Sequence, residues 1–402
     1  MKLINRTTYL NKVRSLLGRN LIVCITGQRR VGKSSLMRTL MSALLLDDTA
    51  NIIYIDKEKN EFDNIVGYAD LNAYVAEHSL VDKVNYILID EVQLIDGFEK
   101  SLCNYYDRDN FEVIVTGSNA KMFSGELSTL LSGRYIEVHL QSLSYEEFLQ
   151  FHKLRDSNES IVKYLNIGGL PNLALLPIEN NEIIHDYLLS IYSTIVLKDV
   201  LAREQVRNVT FLENLTRFVA DNTGKLFSST SISKYMHHEK EIVNPALVRS
   251  YMGFLCNAFI LNRVNRYDIH GKQLLSNNEK YYFEDLGLRN VLTSGGRATD
   301  IEKLIENAIY LHLRRMGYAV FVGVLRNGEV DFVATKGEEI VYVQATYLLS
   351  EEATIKREFG NLLAISNNYP KYVVSMDPFQ PESNYEGIKH LHLRSFLTMK
   401  QF

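Results

Sequence analysis

Eight consecutive residues, Gly27-Gln28-Arg29-Arg30-Val31-Gly32-Lys33-Ser34, place glycines where a backbone must curl and follow them with a cation and a hydroxyl. These types at this spacing suit a chain of phosphates. Backbone N–H groups of such a loop surround phosphate oxygens, and a helix starting at its end adds a positive pole. Lys33 would reach the β- and γ-phosphates of ATP or ADP, and Ser34 would bind Mg2+, with Ser35 opening the helix inside the same cradle. A second element is the run Tyr86–Asp90 with Glu91 after it. Two carboxylates closing an apolar strand are costly unless they meet a metal or a proton donor. Asp90 would hold Mg2+ through its water shell, and Glu91 would polarise an attacking water. Ser118 and Asn119 follow the next strand, where they could hydrogen-bond the γ-phosphate or that water. Arg134 is a candidate arginine finger, stabilising transition-state charge from a neighbouring subunit or domain.

The elements that must position these groups are legible as short β-branched runs. Leu21–Thr26, Asn51–Asp56, Tyr86–Asp90, Phe111–Thr116 and Tyr135–Leu140 have the length and composition of buried parallel strands. Segments long enough for crossover helices separate them, which predicts an α/β domain with a parallel sheet. Strand C-termini in such a sheet line the ligand crevice, so the loop, Asp90-Glu91 and Ser118-Asn119 fall on one edge.

Beyond Ser144 the period turns helical as far as Gln205, interrupted by Gly168-Gly169-Leu170-Pro171. From Val206 to Leu292 three helices are expected, one over Ile232–His237 and one opened by Asn244-Pro245. Strands at Phe259–Tyr267 and Lys280–Phe283 follow, turning at Gly271. That is the order of a winged helix, which lays one helix in the DNA major groove. Lys234, Lys240, Arg249, Arg263, Arg266 and Lys272 would contact phosphates of duplex DNA. The last segment predicts a helix at Asp300–Met316, strands at Ala319–Leu325, Glu329–Ala334 and Ile340–Gln344, then a helix at Thr354–Ser366. A strand at Lys371–Ser375 and a terminal helix complete it.

Composition sets outer bounds. With 44 Lys+Arg against 48 Asp+Glu, net -4, the chain is no basic coat for nucleic acid, although one face can be basic. Three cysteines cannot build a disulfide framework, and none has a partner at zinc-ligand spacing. No apolar run approaches a membrane span, and Met1 to Leu17 lacks the core of a signal peptide. A cytoplasmic, soluble, multidomain protein with no membrane contact is expected.

GQRRVGKSS, YILIDEVQ, VTGSNAKM and LSGRY resemble the AAA-type P-loop ATPases of prokaryotes. Farther on, GGLP, IVLKDV, KYYFEDLGLRN, GEVDFVA and YPKYVVSMD resemble the uncharacterised companion region that follows that ATPase in one architecture. The resemblance implies an ATPase core over 1–142, a helical lid or connector over 143–205 and a winged-helix domain over 206–296. It also implies a C-terminal α/β domain over 297–402 with a fold like PD-(D/E)XK (restriction-endonuclease-like) nucleases. Gln28 departs from the proline of many relatives, at a position expected to contribute only backbone. Such a nuclease would use Glu306, Asp331 and Gln344 around a metal, but Thr346 stands where its lysine belongs. Lys336 or Lys356 could substitute; otherwise the site is degenerate. Three readings follow: a DNA-associated ATPase, with an oligomer allowed; an ATP-regulated nuclease; and a signalling ATPase whose later domains bind only a protein partner.

Overall fold

β-Branched runs with no polar face can be buried only in a sheet covered on both sides. Five of them do so in one compact unit, Met1–Gln141 with Asn257–Phe259. Strands β1 (Ile22–Thr26), β2 (Ala50–Asp56), β3 (Val84–Asp90), β4 (Phe111–Gly117) and β5 (Tyr135–His139) form one parallel sheet in the order β2-β3-β4-β1-β5. Helices α1 (Thr7–Leu16), α2 (Lys33–Leu44), α3 (Tyr68–His78) and α4 (Phe98–Tyr106) connect and cover it. Ile53, Ile87, Ile89 and Val115 from the sheet pack with Leu71, Val75 and Leu102 from α3 and α4 in one core. The computed structural model describes residues 6–123, 131, 133–238, 243–293, 300–349, 352–377 and 383–402.

The second unit is Ser142–Cys256 with Ile260–Phe402. It opens with α5 (Tyr145–His152), α6 (Asn158–Ile167) and α7 (Asn181–Ile195), the last continuing as a π-helix over Val196–Leu201. Ser144 caps α5 and Ser157 caps α6, each accepting an N–H of the first turn. Then come α8 (Val209–Asp221), α9 (Ser229–His238), α10 (Pro245–Asn257) and the hairpin β6 (Leu261–Asp268) and β7 (Gln273–Phe283). The rest comprises α11 (Leu286–Asn290), α12 (Ile301–Arg315), β8 (Ala319–Leu325), β9 (Gly328–Lys336), β10 (Glu339–Ala345), α13 (Glu352–Leu363), β11 (Lys371–Ser375), β12 (Ser383–Tyr385), β13 (Ile388–His392) and α14 (Leu393–Thr398).

One eight-stranded sheet, β12-β13-β11-β10-β9-β8-β6-β7, runs through this unit. The expected boundary between 296 and 297 is therefore not a break in the sheet. β6 pairs in parallel with β8, Arg266 opposite Val322, so the hairpin forms the sheet's edge instead of standing free. β7 is also longer than Lys280–Phe283, because Gln273, Leu274 and Leu275 pair with Asp268, Tyr267 and Arg266 of β6 beyond a register shift. Strands β12 and β13 were not expected; they are short and partly polar, joined through Glu386 (φ 49) and Gly387 (φ 85), the torsions of a tight hairpin turn.

α12 is buried on nearly every side, which an amphipathic surface helix is not. Its Asn307 clamps β7: the side chain accepts Phe283 N–H (2.8 Å) and donates to Phe283 O (2.9 Å). Two of the quoted motifs meet here as well. Asp285 caps α11 through Leu288 N–H and also accepts Gly169 N–H (2.8 Å). A Cβ at Gly168 (φ +76) would strike Asp285 and the Gly287 backbone, so only glycine fits. Among the described residues, no helix is long and apolar enough to cross a membrane.

Candidate functional site

The loop between β1 and α2 starts at Gly27 (φ +146), where a Cβ would collide with the Leu140 carbonyl. It ends at Gly32 (φ 99), which precedes the first turn of α2. Arg30 between them is also left-handed (φ 72) and exposed, while Val31 is fully buried. Such a conformation turns successive N–H groups inward, and α2 adds its positive end. Lys33 is buried; its Nζ donates to Gly27 O (2.9 Å) and Gln28 O (3.2 Å) and lies 3.7 Å from Glu91 Oε1.

β3 and β4 deliver the carboxylates and the hydroxyls that hold them. Thr116 Oγ1 donates to Asp90 Oδ1 and accepts the N–H of Glu91 (2.9 Å). The Ser34 hydroxyl also favours the charged form of Asp90. Burial raises the Asp90 carboxyl above its usual range despite both hydroxyls. Glu91 sits in the left-handed region (φ 56), which turns its side chain off the strand. Ser118 donates to Glu91 Oε2 (3.0 Å), and Gln93 donates to the same oxygen. Burial pushes the Glu91 carboxyl up, but Lys33 and Arg29 with these hydrogen bonds outweigh it, and the group titrates below its usual range.

Ser34, Asp90, Glu91, Lys33 and Ser118 are thus brought together. Ser35 lies in the first turn of α2, half-buried. Asn119 is buried nearby, its Oδ1 accepting the Lys121 N–H (2.8 Å). Gln28 does more than lend backbone: its Nε2 donates to Phe259 O (2.7 Å), inside the same unit. Arg134 is elsewhere. It precedes β5, at the level of Ile22, while Gly27 follows the other end of β1. Five strand residues separate the two ends by about 17 Å. The Arg134 guanidinium lies 5.2 Å over the Tyr106 ring, so it cannot act on the loop of its own unit.

Sequence reasoning missed Thr116, Gln93, Tyr54 and Asp56. Asp56 ends β2 opposite Asp90, and the Tyr54 hydroxyl lies 3.4 Å from Asp56 Oδ2 and 3.5 Å from Asp90 Oδ2. The repeat of Asp at two strand ends was the available signal. Hydroxyl and carboxylate oxygens suit Mg2+, which takes one or two carboxylates with waters and phosphate oxygens. Among the described residues, no group of three or more His, Cys, Asp or Glu is arranged to hold a metal by itself.

In the second unit, Glu306 on α12, Glu329 and Asp331 on β9 and Gln344 on β10 do converge. The cation among them is Lys280 of β7, which the sequence reading did not single out. Its buried Nζ lies 2.9 Å from Glu306 Oε1, 2.7 Å from Glu329 Oε1 and 3.4 Å from Asp331 Oδ1. Neither lysine that could have substituted is there. Lys336 donates to Met316 O (3.1 Å), and Lys356 pairs with Glu352 (2.7 Å) at the surface. Thr346 is buried, its N–H donating to Val374 O (3.0 Å). Gln344 Oε1 accepts the Asp331 N–H (3.2 Å). Of the basic residues expected on DNA, Lys234, Arg249, Arg263 and Lys272 are exposed and Arg266 is half-buried; Lys240 lies outside the described residues.

Comparisons with known proteins agree with the N-terminal geometry. A family described as an AAA domain matches residues 19–149, and a domain of unknown function (DUF8612) matches 158–299. The uncharacterized protein MJ1544 of Methanocaldococcus jannaschii is 26% identical over 349 residues, 83% of this chain and 76% of that one. The solved structure of the walker-type ATPase PABY2304 of Pyrococcus abyssi is similar in fold, with a TM-score of 0.52 and 15% identity over 72% of this chain and 95% of that one. An uncharacterized protein of Haemophilus influenzae is 33% identical over 405 residues, 98% of each chain. The chain belongs to the family of that Haemophilus influenzae protein, with an AAA-type P-loop ATPase domain at its N-terminal end and a domain of unknown function behind it.

Proposed function

We propose that the chain is a Mg2+-dependent ATPase whose nucleotide state controls its binding to DNA or to a protein partner. One observation carries the catalytic part: Ser34, Asp90 and Glu91 meet beside the loop whose Lys33 Nζ is 3.7 Å from Glu91 Oε1. Backbone N–H groups and Lys33 would hold the phosphates, and Ser34 and Asp90 would hold the metal. Bound Mg2+ would neutralise charge on the β- and γ-phosphate oxygens. Glu91 accepts a proton as water bonds to the γ-phosphorus and the bond to the β-phosphate oxygen breaks, releasing ADP and phosphate.

The order α8, α9, α10 and the β6–β7 hairpin supports reading this region as a winged helix. Exposed Lys234, Arg249, Arg263 and Lys272 supply charge for a DNA backbone, and such binding weakens steeply with salt. Asn257–Phe259, on the way from α10 to β6 in the chain, belongs to the first unit, where Gln28 holds Phe259 O, and this supports the coupled reading. The experiment is ATP turnover with and without duplex DNA, alongside DNA binding at low and high salt. Stimulated turnover and salt-sensitive binding reduced by Lys234→Ala with Arg249→Ala support the DNA reading. ATP turnover with no DNA affinity at low salt leaves a protein partner.

A further inference from the structure

We propose that Arg29 is the arginine that stabilises the transition state of ATP hydrolysis, supplied by the chain's own phosphate loop and positioned by Glu58. The proposal rests on the ATPase reading and names a residue which that reading does not use.

Arg29 and Arg30 are neighbours with opposite fates. Arg30 is exposed, whereas the Arg29 side chain is only 9% exposed and its Nη1 lies 2.7 Å from Glu58 Oε1. Burying a guanidinium is costly without a partner, so a fold that buries one in this loop must hold it in place. Glu58 follows β2 by two residues, and its carboxylate remains 45% exposed. It can therefore steer the guanidinium while water still solvates its other oxygen.

The place of that charge matters more than its pairing. Arg29 follows β1 and Glu58 follows β2, with β3 and β4 between them in the sheet, so their ion pair lies across the strand ends where Glu91 sits beside Lys33. Glu91 serves the water that attacks the γ-phosphorus, so a cation beside Glu91 is also beside the oxygens on which negative charge spreads. Arg134 lies at the opposite edge of the sheet and leaves this role open within the chain. Arg29 forms no bond in the step. The water oxygen bonds to phosphorus, Glu91 takes the proton, and ADP departs with the electron pair of the broken bond. A fixed guanidinium lowers the barrier by charge alone, and such an arginine contributes about 10³- to 10⁵-fold in kcat.

The test compares the full-length wild-type chain with Arg29→Ala, Arg29→Lys and Glu58→Gln. Three quantities are read: kcat, affinity for Mg·ADP, and affinity for Mg·ADP with aluminium fluoride, which mimics the transferring phosphoryl group. Arg29→Ala should keep ADP affinity within about three-fold, lose about 10³-fold in kcat and lose the aluminium fluoride complex. Arg29→Lys should recover part of kcat, and Glu58→Gln should lose less than Arg29→Ala. Turnover per molecule should not depend on protein concentration. Wild-type kcat and fluoride-complex affinity in Arg29→Ala would overturn the proposal. So would equal losses for ADP and the fluoride complex, which would make Arg29 a general binding or structural residue. A wild-type chain that binds no ATP would instead overturn the ATPase reading itself.

Discussion

Two carboxylate clusters with a buried lysine occupy the two units, and they solve opposite problems. In the first unit Asp90 and Glu91 are held mainly by hydroxyls and an amide, from Ser34, Thr116, Ser118 and Gln93. Lys33 keeps 3.7 Å from Glu91 and spends its protons on the loop's own carbonyls. In the second unit Lys280 lies within 3.4 Å of three carboxylates at once. The first arrangement leaves its cations directed at a shared loop, where an anion can replace carbonyls as their partner. In the second, the cation is already shared among three carboxylates. Acidic residues converging in a fold therefore do not define a catalytic site; what their cation already touches does.

The largest effect expected is at the first cluster. Glu91→Gln should reduce ATP turnover by about 10³-fold while binding is retained, because only the carboxylate that takes the proton is lost. Lys33→Ala should weaken ATP binding by about 100-fold or more, as a charge-assisted contact to phosphate disappears. Equilibrium binding of a fluorescent ATP analogue and steady-state hydrolysis separate the two. A Glu91→Gln protein turning over at the wild-type rate would remove the distinction between the clusters.

Stability should show the reverse order. Lys280→Met leaves three carboxylates without their shared cation and should destabilise the second unit by about 3–5 kcal/mol, read by chemical denaturation. The same cluster sets a pH dependence. Burial, opposed by Lys280 and reinforced by Asp331, pushes the Glu306 carboxyl up to about 7 from an ordinary 4.5. A raised carboxyl binds its proton more tightly in the folded chain. Its stabilisation is full below the unfolded value and is lost as pH rises through about 7. Glu91, lowered by its neighbours, runs the other way: its contribution is present above the unfolded value and disappears as pH falls through the folded one. Denaturation of Glu306→Gln across pH 4.5 to 7.5 should lose the decline seen in the parent chain. An unchanged slope would detach Glu306 from it.

The contrast also separates what the residues announced from what they concealed. The phosphate loop and Asp90-Glu91 are readable because the motif is contiguous and because period and composition place both at strand ends. Thr116 was harder: a threonine closing a buried strand looks like any β-branched residue until β3 and β4 are set side by side. Lys280 was harder still, since it reaches Glu306 across 26 residues and Asp331 across 51. Its lone signal was a lysine on the same strand face as buried Tyr282. The extent of the second sheet was hidden for a related reason. β7 is itself the edge strand and its apolar residues are interrupted by the polar run Ser276–Glu279, and β12–β13 are too short to show alternation. Sequence also placed Arg134 by its motif alone, while the register of β1 and β5 decides which end of the sheet it occupies.

The smallest effect expected is at Asp331, and it bears most directly on the second cluster. Asp331 Oδ2 accepts the Ala345 N–H (2.9 Å), and Oδ1 is 3.4 Å from Lys280 Nζ, so both oxygens already have partners. Gln344 is likewise engaged, with the Asp331 N–H. A metal entering here would have to displace Lys280 from three carboxylates, and among the described residues the other two candidate lysines, Lys336 and Lys356, are engaged elsewhere. Phosphodiester hydrolysis needs a positioned nucleophile and charge stabilisation at the leaving oxygen, which metal and lysine together supply. The purified chain should therefore leave single- and double-stranded DNA uncut in Mg2+ or Mn2+, with or without ATP. Asp331→Ala should change ATP turnover by less than about two-fold, because the phosphate loop belongs to the other unit. Cleavage that disappears in Asp331→Ala or Glu306→Ala would show that Lys280 yields to a metal and acts as the missing lysine. The two clusters would then both be catalytic, and the contrast between them would fail.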